Sequence, residues 1–251
     1  MDIAAIAQRL DTAMRDARAV PQLAEQLSLD QAFAVQPASL ARRYARGERR
    51  AGNKMGFTSL AKMEQMGISD VIWGRLTDAM QVADGGTVAF ERFVHPRIEP
   101  EIAFLLAADL PAEISEAEAH AALAGVAPAL ELIDSRYENF RFSLSDVVAD
   151  NSSSSAFVVG AWQAPFTDLA DLSFTMSIDG EPKQIGSSAA ILGDPIRSLV
   201  RAARLAAAAG EPLKAGDIVM AGGATAAEAL TPGNRATLDV DRLGGVSVTI
   251  V

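Results

Sequence analysis

The first fifty residues carry apolar side chains at helical spacing. Ile3, Ile6, Leu10 and Met14 recur every three or four positions, which predicts an amphipathic helix. Ser28 and Gln31 have capping-box spacing, so a second helix is expected to start at Ser28. Pro37 should interrupt it, because proline lacks an N–H and its ring crowds the preceding turn. SLARRYARGERR then reads as a third helical segment whose arginines form a solvated face. From residue 52 the pattern changes. GNKMGFTS reads as a short strand entering a loop, and SLAKMEQMG as a helix ended by Gly67, with Met55, Met63 and Met66 as core filling. VADGGTVAF contains a Gly-Gly turn; RIEPEIAFLLA is a strand, ISEAEAHAALAGV a helix, and PALELID and SAFVVGAW strands. LSFTMSIDGEPKQIGS predicts a hairpin around Asp179-Gly180. DPIRSLVRAARLAAAAG is the clearest helix, with Pro195 in its first turn and Gly210 at its end. GDIVMAGG and ATLDVDRLGGVSVTIV close the chain as strands. No repeat or low-complexity linker divides this pattern. The expectation is one α+β domain over residues 1–251, with a helical lead over about 1–50 and a β-rich core over about 51–251.

Composition narrows the chemistry. The 251 residues include no cysteine, which removes disulfides, thiolate zinc sites and cysteine nucleophiles together. A formal net charge of −10 argues against a nucleic-acid surface, and it means that an anionic substrate must find local positive charge against the overall field. Asp2, Arg9, Asp11, Arg15 and Asp16 break up the N-terminal apolar positions, so neither a signal peptide nor a membrane span fits there. No other apolar run is long enough to span a bilayer, and a cytoplasmic location is expected.

The informative residues are acidic. Glu99 and Glu101 sit two apart in an apolar strand, so their side chains share a face with Cα atoms about 6–7 Å apart. Pro100 between them cannot donate to a ladder, which suits an edge or a bulge. Glu131 has apolar neighbours on both sides, where an unpartnered carboxylate is costly. Three converging carboxylates would make an all-oxygen site for Mg²⁺ or Mn²⁺. The alternative is two solvated glutamates and a core glutamate paired with an arginine such as Arg97 or Arg136. Spacing leaves both open.

Lys54, between Gly52 and Gly56, could hold a substrate carboxylate, relay a proton, or be an exposed loop lysine. Asp78 reads as a turn or cap residue. Asp150-Asn151 and the four serines after it form either a flexible loop or an anion-binding nest, and no nucleophile elbow surrounds them. His95 and His120 pair with no nucleophile pattern, and His120 is expected at the surface.

Five ordered segments change the weighing. GNKMGFTSLAKMEQMGISDVIWGRLTDAM, HPRIEPEIAFLL, APALELIDSRYENFRF, DVVADNSSSSAFVVG and GEPLKAGDIVMAGGATAAEAL resemble the hydratase/decarboxylase family of catechol meta-cleavage pathways. That family belongs to the fumarylacetoacetate hydrolase superfamily, and the resemblance runs from about residue 30 to the end. KMGFTS, IWGRLTD, HPRIEPEIAF and AGGATAAEAL are closer to its decarboxylase branch than to its hydratases. The resemblance implies a mixed, barrel-like β roll with helices outside. It implies Mg²⁺ (or Mn²⁺) on Glu99, Glu101 and Glu131, and Lys54 at the substrate with Asp78 as an acid/base helper. It places Thr58, Ser59, Arg75, Leu76, Ser153 and Thr225 around the substrate. The implied reaction is loss of CO₂ from 2-oxo-3-hexenedioate. Hydration of 2-oxopent-4-enoate, C–C hydrolysis and a silent subunit that supports a partner enzyme remain alternatives. A homo-oligomer and a complex with the pathway hydratase are further expectations.

Overall fold

The computed structural model describes residues 2–23, 25–59, 63 and 70–251. The chain opens with α1 (Ile3–Arg15), capped by Asp2, and α2 (Leu29–Ala45), whose Ser28–Gln31 capping box forms as expected. Pro37 lies inside α2 and does not break it. Tertiary packing outweighs the lost hydrogen bond, because α2 buries Ala32, Val35, Gln36, Ser39, Leu40 and Arg43 along one stripe. Gln36 is anchored as well: its amide donates to the carbonyls of Trp73 (3.1 Å) and Val148 (2.5 Å).

The basic stretch of α2 is not a simple solvated face. Arg42 and Arg46 close on Asp11 of α1 at 3.0 and 2.6 Å, and Asp11 is only 1% exposed. Arg43 is buried and pairs with Glu48 at 2.7 Å. The helix expected over SLAKMEQMG falls almost wholly outside the described residues.

Strands follow. They are β1 (Arg50–Gly56), β2 (Ile72–Thr77), β3 (Gln81–Val82), β4 (Thr87–Val88), β5 (Arg97–Leu106), β6 (Leu123–Ile133) and β7 (Ser154–Val159). Then come β8 (Ser173–Ile178), β9 (Glu181–Ser187), β10 (Ile218–Met220), β11 (Glu228–Ala229), β12 (Arg235–Val240) and β13 (Gly244–Ile250). Helices α3 (Glu116–Ala121), α4 (Leu144–Ala149) and α5 (Pro195–Ala208) are further α-helices among the described residues, with short 3-10 turns between elements. The α3 helix is shorter than the sequence pattern predicts, because Leu123–Val126 extend β6 backwards instead.

Two mixed sheets form an α+β roll. The larger runs β2-β1-β10-β5-β6-β7-β3, with β11 also on β5; the smaller runs β4-β13-β12-β8-β9. The hairpin between β8 and β9 turns at Asp179-Gly180, both at positive φ. One face of β5 and β6 presents Ile98, Ile102, Phe104, Val126, Leu130 and Leu132 to Phe174, Met176, Leu238, Val246 and Val248 of the smaller sheet, forming the main core. Helix α5 adds Ile196, Leu199, Ala202, Ala203 and Ala206 to it.

The opposite face of the larger sheet curls on itself. Leu76 of β2, Ile218 and Met220 of β10, Ala103 of β5, Ala127 and Ala129 of β6 and Phe157 of β7 share one apolar cluster. Strands from near-opposite ends of the sheet meet there only if it is barrel-like. Asn151 completes the curl: its side-chain oxygen accepts from the Arg75 N–H (2.8 Å), and its amide donates to the Arg75 carbonyl (2.9 Å). Ser152 Oγ donates to the Trp73 carbonyl at 2.8 Å. The Asp150–serine segment is therefore a buried seam between β2 and β7, not a loose loop.

Asp11 generates a stability prediction. Burial pushes its carboxyl up, but hydrogen bonds from Arg46 and Arg42 outweigh this and hold it below the usual carboxylate range. A depressed folded pKa contributes stability that is full above the unfolded-state value and disappears as pH falls through the folded one. Asp11→Asn should cost about 2 kcal/mol at neutral pH. In urea unfolding, the gap between variant and parent should close as the pH drops below the carboxylate range.

Candidate metal centre and substrate cavity

Glu99 and Glu101 point to the same side of β5, and register sets Glu99 directly opposite Glu131 on β6. One carboxylate oxygen from each of the three lies within 4.8 Å of the others. Oxygens bound to one magnesium at about 2.1 Å lie at most about 4.2 Å apart, so a small rotamer adjustment would bring this set to coordination distance. Glu101 and Glu131 are fully buried.

Pro100 is not at an edge. It lies in a central strand, in the interval between the β10 ladder (Ala103–Leu105) and the β11 ladder (Arg97–Ile98). Its carbonyl accepts from Ala224 N–H at 2.9 Å, and its missing N–H falls where no ladder partner is required.

Several described residues answer part of this charge. Lys54, 4% exposed, approaches Glu131 Oε2 at 3.1 Å, where the alternative to a metal site named an arginine. Arg136 is taken by Asp150 at 2.5 Å. The Gly222 N–H donates to Glu101 Oε2 at 2.8 Å. Gly222 has φ +108°, and a Cβ there would sit 2.3 Å from Thr58 Oγ1, so only glycine fits. Among the described residues, the Oε1 atoms of both Glu101 and Glu131 are buried without a hydrogen-bond partner. Burial, then repulsion from Glu131 and Glu99, drives the Glu101 carboxyl well above its usual value. Burial also raises Glu131, with Lys54 opposing. Orphaned oxygens on hard donors, aimed at a common point, are what a divalent cation with oxygen preference satisfies. Cysteine is absent from the chain and neither histidine joins the cluster, so the donor set does not suit zinc.

The centre opens on a cavity of about 330 Å³, lined by Lys54, Thr58, Ser59, Glu99 and Ser153 on its polar side. Ile72, Ile133, Phe140, Phe142 and Val147 make its apolar walls. Ser153 is 4% exposed, and its Oγ has no hydrogen-bond partner among the described residues. It ends a run of three non-glycine residues, Asn151, Ser152 and Ser153, at φ 51°, 53° and 59°. Such a left-handed run costs energy and is characteristic of functional sites.

Other residues expected at the substrate stand elsewhere. Asp78 is exposed outside the cavity, where it accepts from the N–H groups of Arg49 and Ala79, both at 2.9 Å; it closes a turn. Arg75 is buried against Trp73, with its guanidinium on Glu211 (2.8 Å) and Gln36 (2.8 Å). The Leu76 side chain is packed in the apolar cluster with Met80 and Phe157. Thr225 lies between the lining residues Gly223 and Ala226, but its own side chain leans on Gly186 of β9. His120 is half-buried rather than at the surface, with Nε2 at 2.7 Å from the Phe166 carbonyl. Sequence reasoning missed the Gly222 donor, the Asn151 seam and the aromatic pair Phe140–Phe142. A signal for the donor was present in Gly222-Gly223 after an apolar run.

Residues 46–251 match the fumarylacetoacetate (FAA) hydrolase C-terminal family. The chain belongs to this family. A 4-oxalocrotonate decarboxylase of a Pseudomonas species is 53% identical over 98% of this chain and 97% of its own. The 2-keto-4-pentenoate hydratase 1 of Dechloromonas aromatica (strain RCB) is 35% identical over 97% of this chain and 95% of its own. The 4-oxalocrotonate decarboxylase from Pseudomonas putida G7, solved in complex with magnesium and adipate, superposes with a TM-score of 0.94 at 37% identity, covering 99% of this chain and 97% of that one.

The carboxylate cluster predicts how the protein responds to metal. Saturating magnesium should raise the parent's melting temperature by about 5–10 °C, the size expected of ligand at a hundredfold excess over its dissociation constant. Glu101→Gln and Glu131→Gln should melt no lower than the metal-free parent and show no such rise. A rise of equal size in both variants would place the cation elsewhere.

Proposed function

We propose that the chain is a carboxy-lyase that releases CO₂ from 2-oxo-3-hexenedioate (4-oxalocrotonate), with Mg²⁺ or Mn²⁺ held by Glu99, Glu101 and Glu131. The observation that carries this reading is the convergence of those three carboxylates, two with orphaned buried oxygens, at one end of a small half-apolar cavity. The higher identity to decarboxylases than to hydratases selects the reaction.

When bound, the divalent ion supplies a Lewis acid at the 2-oxo acid end of the substrate. The protein's own groups do the remaining work. Lys54 brings a buried ammonium to the mouth of the carboxylate cluster, where it offsets the negative charge that a 2-oxo acid adds. Ser153 Oγ, free of any internal partner, is available to hydrogen-bond the substrate carboxylate, with Thr58 and Ser59 on the same wall. In the reaction the C5–C6 bond breaks, its electron pair moves through C4 and C3 towards the carbonyl oxygen, and C6 leaves as CO₂. Charge thus moves from the far carboxylate to the polar end of the cavity. Ile72, Phe142 and Val147 give the carbon chain between the two ends of the substrate an apolar wall.

Asp78, outside the cavity, has no route to the reacting atoms by itself. A homo-oligomer and association with the pathway hydratase belong to the same reading, and size-exclusion chromatography with and without that hydratase tests them.

Purified protein should release CO₂ from 2-oxo-3-hexenedioate with magnesium and not with chelator. Lys54→Met should lower kcat by about 10²–10³-fold, the scale of losing one charge-stabilising group. Hydration of 2-hydroxypenta-2,4-dienoate without any CO₂ release would replace this assignment with the hydratase.

A further inference from the structure

Arg97 occupies a peculiar position. It starts β5 two residues before Glu99, so strand alternation sets both side chains on the same face, about 6–7 Å apart along the strand. It lines the same cavity as Glu99 and Lys54. Its guanidinium carbon sits 4.4 Å from the centre of the Phe140 ring. Among the described residues it has no carboxylate partner, whereas the buried Arg43, Arg75 and Arg136 each close on one. In a protein with ten more formal negative than positive charges, an unpaired guanidinium facing a cavity is unusual.

Phe140 is itself held in place. It follows Asn139 in a turn where both residues have positive φ (55° and 58°), and its ring packs edge-on against His95 and Phe142, both at 5.2 Å between centroids. The ring fixes the plane of the guanidinium without using its N–H donors. Those donors form a fork suited to a carboxylate.

We infer that Arg97 recognises the second carboxylate of the substrate, so that it selects dicarboxylates over monocarboxylates of the same length. A six-carbon chain extended from the Glu99 side of the cavity covers about the two-residue step that separates Glu99 from Arg97. This assignment rests on the proposed substrate class. The kinetic consequence has a definite sign. The carboxylate facing Arg97 is the one lost, so its charge declines in the transition state and the ion pair is strongest before reaction. Arg97 therefore contributes to substrate capture and not to the chemical step.

The test uses magnesium-loaded full-length protein and two probes, adipate and hexanoate, which differ by one carboxylate. By calorimetry, Arg97→Gln should weaken adipate binding by about tenfold or more, leave hexanoate within about twofold, and leave magnesium affinity intact. Arg97→Lys, which keeps the charge but loses the fork, should fall between the two. In the CO₂ assay the loss should appear in KM, with kcat not lowered. Unchanged adipate binding in Arg97→Gln would overturn the inference. So would equal weakening of both probes, which would make Arg97 a prop for Phe140. If no CO₂ is released but the variants still separate adipate from hexanoate, the reaction assignment fails while the role of Arg97 stands.

Discussion

The governing constraint is repulsion among three carboxylates forced onto one face of one pair of strands. The β5–β6 ladder fixes Glu99, Glu101 and Glu131 in register, and its other face is the main hydrophobic core. Slipping the register by one residue would turn the glutamates into that core and bring Ile98, Ile102, Leu130 and Leu132 out of it. The apolar face therefore holds the charged face in an arrangement that it would not adopt by itself. Among the described residues, Lys54 and the Gly222 N–H offset a part of the cost. The remainder is left for a cation, which couples the completed site to metal binding.

Several features at a distance follow from the need to keep this cluster in a narrow, buried curl. Ala103, Ala127 and Ala129 continue the carboxylate face, and their small side chains let the sheet bend over them. Asn151 and Ser152 supply the hydrogen bonds by which the β2 end of the sheet is held near β7. The left-handed run that puts them there also delivers the unpartnered Ser153 hydroxyl to the cavity. Helix α5 acts from the other side: Ser198 Oγ donates to the Ala221 carbonyl at 2.7 Å, next to the Gly222 and Gly223 backbone on which Glu101 and Glu99 rest.

Periodicity showed the metal candidates, the principal helices and the β8–β9 hairpin, because each depends on local spacing. It failed where long-range packing decides. Pro37 should have ended α2, yet contacts of Gln36 to two distant backbone carbonyls keep the helix whole. Pro100 pointed to an edge, while the gap between two separate ladders on β5 accommodates it in the middle of the sheet. Family resemblance carried Asp78, Arg75, Leu76 and Thr225 towards the substrate, but motif position does not determine direction. Asp78 lies beyond the far end of β2 from Ile72, and Arg75 points away to Glu211. The aromatic wall was invisible because a turn with two positive-φ residues, which no spacing rule announces, aims Phe140.

A formal charge of −10 should repel a dianion, and the three carboxylates at the cavity outnumber Lys54 and Arg97, so local attraction would need the divalent cation as well as these two groups. Lys54 and Arg97 are separate positive groups on one cavity, with apolar surface between them. At an effective dielectric near 20, one unit charge about 4 Å away is worth about 4 kcal/mol, more than the screened field of surface carboxylates a Debye length or more distant. Two cations set apart match a substrate with charge at both ends better than one with charge at a single end. A hydratase and a decarboxylase share the demand for an electron sink at the 2-oxo group, and the carboxylate cluster would serve either. What separates them is the treatment of the far end of the chain, so under the proposed reading substrate choice would rest on Arg97 and Phe140 and not on the three carboxylates.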